Sequence, residues 1–492
     1  MRISKWFRTL ALSSALCVGG LMLVSSAQAA VPYVGYTYDG WNDRVWAPVA
    51  YAPAGVIAGE TLGIGVFSNP DDLFVTDDKR VLIVDTGNSR IVVLDEQYRL
   101  LQVIDSFTYE GKEDKFNKPT GVFVTPDNEI YVADTDNHRV VRMSFEGQSD
   151  HIIVAPSSEF FATGFVFEPK KIVVDSAERV YVIANRVFDG IMQFDSKGNF
   201  ENYFAANRVK YSVGDYVWKK YLSTKEQQSR TVQFIPTEYL SMDIDKTGFV
   251  YTTSVDDTSA GPKPIQRHNP TGTDVLIRQG FANPFGDLRY GPAGPSRLID
   301  INVGPDGTYS TVDYKRGRVF TYDSEGKLLY IFGGIDDRVG TFREPSAVER
   351  IGDSYLVLDK NLQRMTIFNV THFGQLMNDA VHYHYIGDEE KAAELWREIL
   401  SLDANLDIAY SGVSKSMVRE GDNENAADYA KYGMDRKSYS KAYKGLRKEV
   451  LKENFNAILT TILVLAIATF VLVQIRKYRR RKGGATHVES AD

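Results

Sequence analysis

Two short clusters recur with the same internal spacing: Asp85, Asn88 and Arg90, then Asp134, Asn137 and Arg139. Short carboxylate and amide side chains at such positions bond nearby backbone groups, so these six residues are expected to build tight turns. A second set of carboxylates, Asp71, Asp72 and Glu238, opens predicted strands that would converge on one axis. Such oxygen atoms suit a hard cation. Thr120, Lys170, Ser296 and Ser346 open the equivalent strands, so the axial set mixes signs and does not form an oxygen cage. Among the seven histidines, only His138, His151 and His268 fall well inside this region, and His382 and His384 point to different sides of a predicted helix. There is no His-Glu-x-x-His, Gly-rich phosphate loop, Gly-x-Ser-x-Gly elbow or Cys/His pair. No catalytic and no metal-ligating residue is therefore assigned.

The clusters belong to a repeat. Pro70 precedes Asp85 by 15 residues, and Pro119 precedes Asp134 by the same 15. Each unit reads as an apolar strand, a polar turn, a second strand ending in Asp, a tight turn and a third strand. Weaker copies follow around Ala184, Ser254, Asp313 and Asp359, at steps of 49, 50, 70, 59 and 46 residues from Asp85 onward. Turns such as Asp195-Ser196-Lys197-Gly198 and Asp323-Ser324-Glu325-Gly326 close several third strands. Six such units predict an all-β six-bladed propeller over 31–372. The sixth unit shows three clear strands, and the segment Trp46–Ala58 is expected to supply its missing outer strand. Closure of that kind removes exposed sheet edges. Residues 208–235 read as a helical insertion on one face, either a binding element or a plain cover.

From Phe373 the period changes. Gly387-Asp388-Glu389-Glu390-Lys391-Ala392-Ala393 recurs 34 residues later as Gly421-Asp422-Asn423-Glu424-Asn425-Ala426-Ala427. That is the tetratricopeptide period, and a helical module of this type is predicted over 373–455. Two repeats fall short of the usual three, so the module would lean on the propeller or on a partner. A rigid stalk and a partner-binding groove remain equal readings of it.

The two ends carry addresses. Residues 1–30 have Arg2, Lys5 and Arg8, an apolar stretch from Leu10 to Val24, and the small-x-small site Ala27-Gln28-Ala29, which predicts a signal peptide. Its removal takes Cys17, the single cysteine, and with it any disulfide or cysteine-rich zinc site. Ala457–Ile475 is free of charge and predicts one transmembrane helix, taken as 456–475. Six basic residues lie in the following tail, 476–492, which the positive-inside rule places in the cytoplasm. The expected location is the cell membrane, single-pass, with the N-terminal domain outside. The overall charge of -7 leaves -14 between leader and tail, which argues against nucleic acid as the main partner.

The Pro–Asp spacing with Asp-Thr-x-Asn-x-Arg resembles NHL repeats, well matched at Asp85–Arg90 and Asp134–Arg139; Ala184 and Ser254 depart from it. The layout is similar to bacterial exported NHL-propeller proteins with tetratricopeptide helices and one C-terminal span, often labelled gluconolactonase-like. The resemblance implies a binding or scaffold role toward a protein or glycan partner, near multipass membrane permeases or sugar transporters. It also implies the alternative of a calcium-dependent lactonase, since six-bladed lactonases hold calcium on the propeller axis with Glu, Asn and Asp. Asp71, Asp72 and Glu238 are the axial candidates for such an ion.

Overall fold

A computed structural model describes residues 31–156, 164–206, 238–255, 263–279, 284–288 and 292–484. The leader, the insertion at 208–235 and the end of the tail lie outside the described residues. The chain divides into two compact units. One comprises residues up to Thr37 and Pro48–Gly374; the other comprises Tyr38–Ala47 and the residues from Gln375 on.

The first unit is a six-bladed propeller. In blade one the strands Asp72–Val75, Val81–Asp85, Arg90–Leu94 and Leu100–Ile104 pair in sequence order. Val81–Asp85 is buried throughout and reads as an unbroken apolar run because both of its faces are covered. Val81 and Ile83 pack in a cluster with Leu356 and Met365 of blade six. Leu82 and Val84 pack with Val122 and Val132 of blade two. The period-2 alternation of a strand thus serves two neighbouring blades at once.

Blades two, three and five follow the same order with four strands each, beginning at Gly121, Pro169 and Leu298. Blade two carries an extra hairpin, Ser106–Tyr109 with Lys112–Lys115. Blade four shows three strands among the described residues, Glu238–Ile244, Val250–Val255 and Ile265–His268. Blade six is built from both ends of the unit: Pro345–Ile351, Ser354–Asp359 and Arg364–Val370 are completed by Tyr51–Ala58. The closing strand starts at Tyr51 rather than Trp46, and pairs antiparallel from Tyr51 opposite Val370 to Ala58 opposite Arg364. Tyr51 is fully buried, with its ring 4.8 Å from that of Tyr355 and 5.1 Å from that of Phe332.

The second unit contains helices α1 (His372–Tyr385, which starts in the propeller unit), α2 (Glu389–Leu402), α3 (Asp407–Glu420), α4 (Asn423–Tyr432), α5 (Arg436–Glu453) and α6 (Phe455–Gly484). The 34-residue offset is a capping offset. Asp388 and Asp422 each accept a bond from a backbone N–H in the first turn of α2 and of α4. Gly412 lets α3 lie against Trp396 of α2, where a Cβ would come 2.3 Å from the indole. Within α6, Phe455–Arg480 is long and apolar enough to cross a membrane, and none of it is buried.

Candidate functional site

The recurrent turn residues form one hydrogen-bond pattern twice. Asp85 Oδ1 accepts the Ser68 N–H at 2.7 Å, while its Oδ2 accepts from Asn88 at 2.8 Å and Arg90 at 2.7 Å. Asp134 Oδ1 accepts the Asn117 N–H at 2.7 Å, while its Oδ2 accepts from Asn137 at 2.9 Å and Arg139 at 2.8 Å. Each carboxylate is fully buried and ties the end of the second strand to the loop that leads into its own blade. The strand register explains the spacing, because Asp85 lies opposite Arg90 and Asp134 opposite Arg139. Asp313–Arg318 and Asp359–Arg364 occupy the same register in blades five and six, where Asp313 and Asp359 also accept backbone N–H groups. This network predicts that Asp134→Ala lowers unfolding stability by about 2–3 kcal/mol, since it takes one buried acceptor from the Asn117 N–H, the Asn137 amide and the Arg139 Nε at once, while Arg139 keeps its pair with Asp114. Asp136→Ala, which removes only the exposed pair with Lys118, should cost less than about 1 kcal/mol. Paired urea titrations check both values.

The axial candidates do not meet. Asp71 sits at one mouth of the axis in an ion pair with Lys360. Lys170 stands nearby, its pKa lowered by burial against the opposing pull of Asp71 and Glu238. Glu238 is exposed. Asp72 alone turns inward, fully buried.

Six residues that the strand openings do not reveal join Asp72 in the axis. Lys171 Nζ of blade three lies 2.5 Å from Asp72 Oδ1 of blade one and 3.0 Å from Asp300 Oδ1 of blade five. Asp72 Oδ2 accepts the Val122 N–H of blade two at 3.0 Å. Asp300 accepts the Ser241 hydroxyl of blade four at 2.6 Å and the Val348 N–H of blade six at 2.8 Å. Asp243 of blade four accepts the Val303 N–H at 2.6 Å, and Asn302 of blade five donates to Glu349 of blade six at 2.8 Å. All six blades are thereby joined through one polar hub. Lys171 and Ser241 follow a shift of register in the innermost strand, and Asp300 follows another. Such bulges re-aim a side chain.

Electrostatics in the hub follow from burial. Burial alone would push Lys171 down, but Asp300 and Asp72 outweigh it and hold the ammonium charged. Among the described residues Asp243 accepts only backbone N–H groups, from Val303 and Ile244, and burial raises it to about 6. Burial also raises Glu349 well above the usual carboxylate range, with Asp243 and Asp300 adding to the effect. An ordinary Asp titrates near 3.9 when unfolded. Between about pH 4 and pH 6 the folded chain therefore keeps a proton at Asp243 that the unfolded chain has released. Stability from this site is fully present below that window and declines as pH rises through it. Asp243→Asn should flatten the decline by roughly 2–5 °C in Tm between pH 5 and 7, read by thermal denaturation of both proteins.

Calcium does not fit the axial candidates. Asp71 is held by Lys360, Asp72 by Lys171, and Glu238 is exposed at the mouth rather than in the hub. Among the described residues no three or more His, Cys, Asp or Glu side chains are arranged to hold a metal ion. His268 bonds Thr252 inside blade four, while His384 bonds Glu389 in the helical unit.

The model of the NHL repeat matches residues 116–143, from the loop before blade two to its third strand. No curated protein matches the chain. Similar solved structures include a streptogramin B lyase, 12% identical with a TM-score of 0.38, covering 62% of this chain and 94% of that one. Virginiamycin B lyase from Staphylococcus aureus is 10% identical with a TM-score of 0.39, covering 62% and 96%. A putative gluconolactonase is 11% identical with a TM-score of 0.40, covering 69% and 98%. At these levels none of their activities transfers.

Proposed function

We propose that this NHL-repeat propeller protein is a membrane-anchored, extracytoplasmic binding or scaffold protein. Its propeller and tetratricopeptide-like helices would engage a protein or glycan partner, with a permease or transporter component as the expected protein class. The observation that carries this reading is the hub. Lys171, Asp72, Asp300, Asp243 and Asn302 bond across blades, so the axial polar groups are engaged in holding the ring rather than left open to a substrate. A rigid ring with its loops displayed, followed by helices and one apolar span, suits docking beside a membrane complex. The leader and the basic tail support the outside-to-inside orientation.

Cross-linking of the tagged full chain in its native membrane, followed by capture, tests the reading. A single membrane protein or polysaccharide recovered in near-stoichiometric amount supports it; recovery no greater than from an unrelated single-pass protein overturns it. The raised pKa values of Asp243 and Glu349 favour a second reading, a lactonase-type hydrolase using one of them as general acid. Aldonolactone turnover that disappears in Asp243→Asn or Glu349→Gln would establish it, and turnover equal to the buffer rate would end it.

A further inference from the structure

Helix α5 has an unusually one-sided charge. Arg436, Lys437, Lys441, Lys444, Arg447, Lys448 and Lys452 are all exposed. At 3.6 residues per turn they fall within an arc of about 160°. Glu449 and Glu453 lie outside that arc, and Glu449 is bonded to Asn423 of α4. The opposite side is the packed one, with Ser438 and Ala442 buried and Gly445 close against Asn423. None of the seven cations forms an ion pair among the described residues; Arg447 instead covers the Tyr443 ring.

What lies next to this face is set by the chain itself. α5 and α6 adjoin directly: Asn454, at φ −95° and ψ 6°, caps α5 while its N–H donates to the Val450 carbonyl at 3.1 Å, and its own carbonyl accepts the Ile458 N–H at 2.9 Å. The apolar span begins at Phe455. With a rise of 1.5 Å per residue along α5, Lys452 stands no more than about 4.5 Å above the level of Phe455, Lys448 no more than about 10 Å, Arg447 about 12 Å and Lys437 about 27 Å. A headgroup layer is about 5–8 Å deep, and surface charge acts for roughly 8 Å beyond it at physiological salt. The last two turns of α5 are thus within reach of the headgroups. On the exported side, seven cations before the span also run against the positive-inside preference, so topology alone does not account for them.

We propose that the C-terminal half of α5 binds the anionic phosphates of the bilayer that α6 enters, with contact strongest at Lys452 and Lys448 and fading toward Lys437. The proposal rests on the reading of α6 as a membrane span. It does not require any partner of the propeller.

The full chain, placed in nanodiscs of phosphatidylcholine or of phosphatidylcholine with phosphatidylglycerol at about 1:1, is treated with an uncharged amine-acylating reagent and mapped by peptide mass. Expected is a several-fold slower reaction of Lys452 and Lys448 in the anionic discs, a smaller effect at Lys444 and none at Lys437. The effect should vanish near 1 M salt, where screening falls to about 3 Å. Lys79, in the propeller, serves as reference. Equal rates at Lys448 and Lys452 in the two lipids overturn the lipid contact while leaving the span intact. A chain that elutes apart from the discs overturns the span, and this proposal with it.

Discussion

Lys171→Met should lower the stability of the propeller by about 3–5 kcal/mol, the cost of removing one partner from a buried ion pair. The methionine fills the space but leaves Asp72 and Asp300 facing each other without the ammonium that lies 2.5 Å and 3.0 Å away in the native hub. For a domain of this size that is on the order of 6–10 °C in Tm. The signature that separates the charge effect from a packing defect is rescue. Combining the change with Asp72→Asn and Asp300→Asn removes the repulsion and should restore more than half of the loss, and lowering the pH should restore part of it in the single variant. A single variant within about 1 kcal/mol of the parent would show that the hub does not hold the ring together.

Tyr51→Ala should cost a similar 3–5 kcal/mol, the range for emptying a large aromatic site in a core. Its ring is packed among Tyr330, Phe332 and Tyr355 at 4.8–5.2 Å, at the seam where the first strand of the propeller completes its last blade. Tyr33 also donates to the Tyr51 carbonyl at 2.5 Å, an interaction the substitution leaves in place. The expected result is a lower urea midpoint together with faster limited proteolysis close to residues 48–58. Cleavage spread evenly around the ring, or no change in midpoint, would contradict the view of this seam as the weak point of the closed structure.

The architecture was legible because its signals are local. Asp85 and Asp134 announce the turn chemistry, and their register partners Arg90 and Arg139 follow after a two-strand corner of fixed length. Four of the six units keep that Asp–Arg pair; Ala184 and Ser254 lose it, yet Ala184 still ends the second strand of blade three and Ser254 is the last residue but one of that strand in blade four. The missing fourth strand of the last unit was legible from the segment before the first, although its start falls at Tyr51 and not Trp46. Of the hub only Asp72 was legible. Searching the openings of the inner strands finds Asp72 together with Asp71 and Glu238, which stay outside the hub, whereas Lys171, Asp243, Asp300 and Glu349 sit further along their strands. Irregular registers at Pro169/Lys171, Tyr239/Ser241 and Leu298/Asp300 shift which residue faces inward. The signal available was the charge itself, since Lys171, Asp243, Asp300 and Glu349 interrupt otherwise apolar strands where an unpaired charge would be intolerable.

The sixth blade sets the order in which this protein can fold. Tyr51 finds Val370 only after more than 300 intervening residues have been made, so the first strand waits while five blades assemble. Pairings of such long range make closure the late, slow event of folding. Until then the waiting strand and the open third strand of blade six are both free edges, able to pair with another copy of the chain. While it folds, the growing ring therefore passes through a stage at which chain-to-chain joining competes with self-closure, and crowding of newly made molecules favours the former. Yield of folded protein should accordingly depend on expression rate more steeply than its equilibrium stability would suggest.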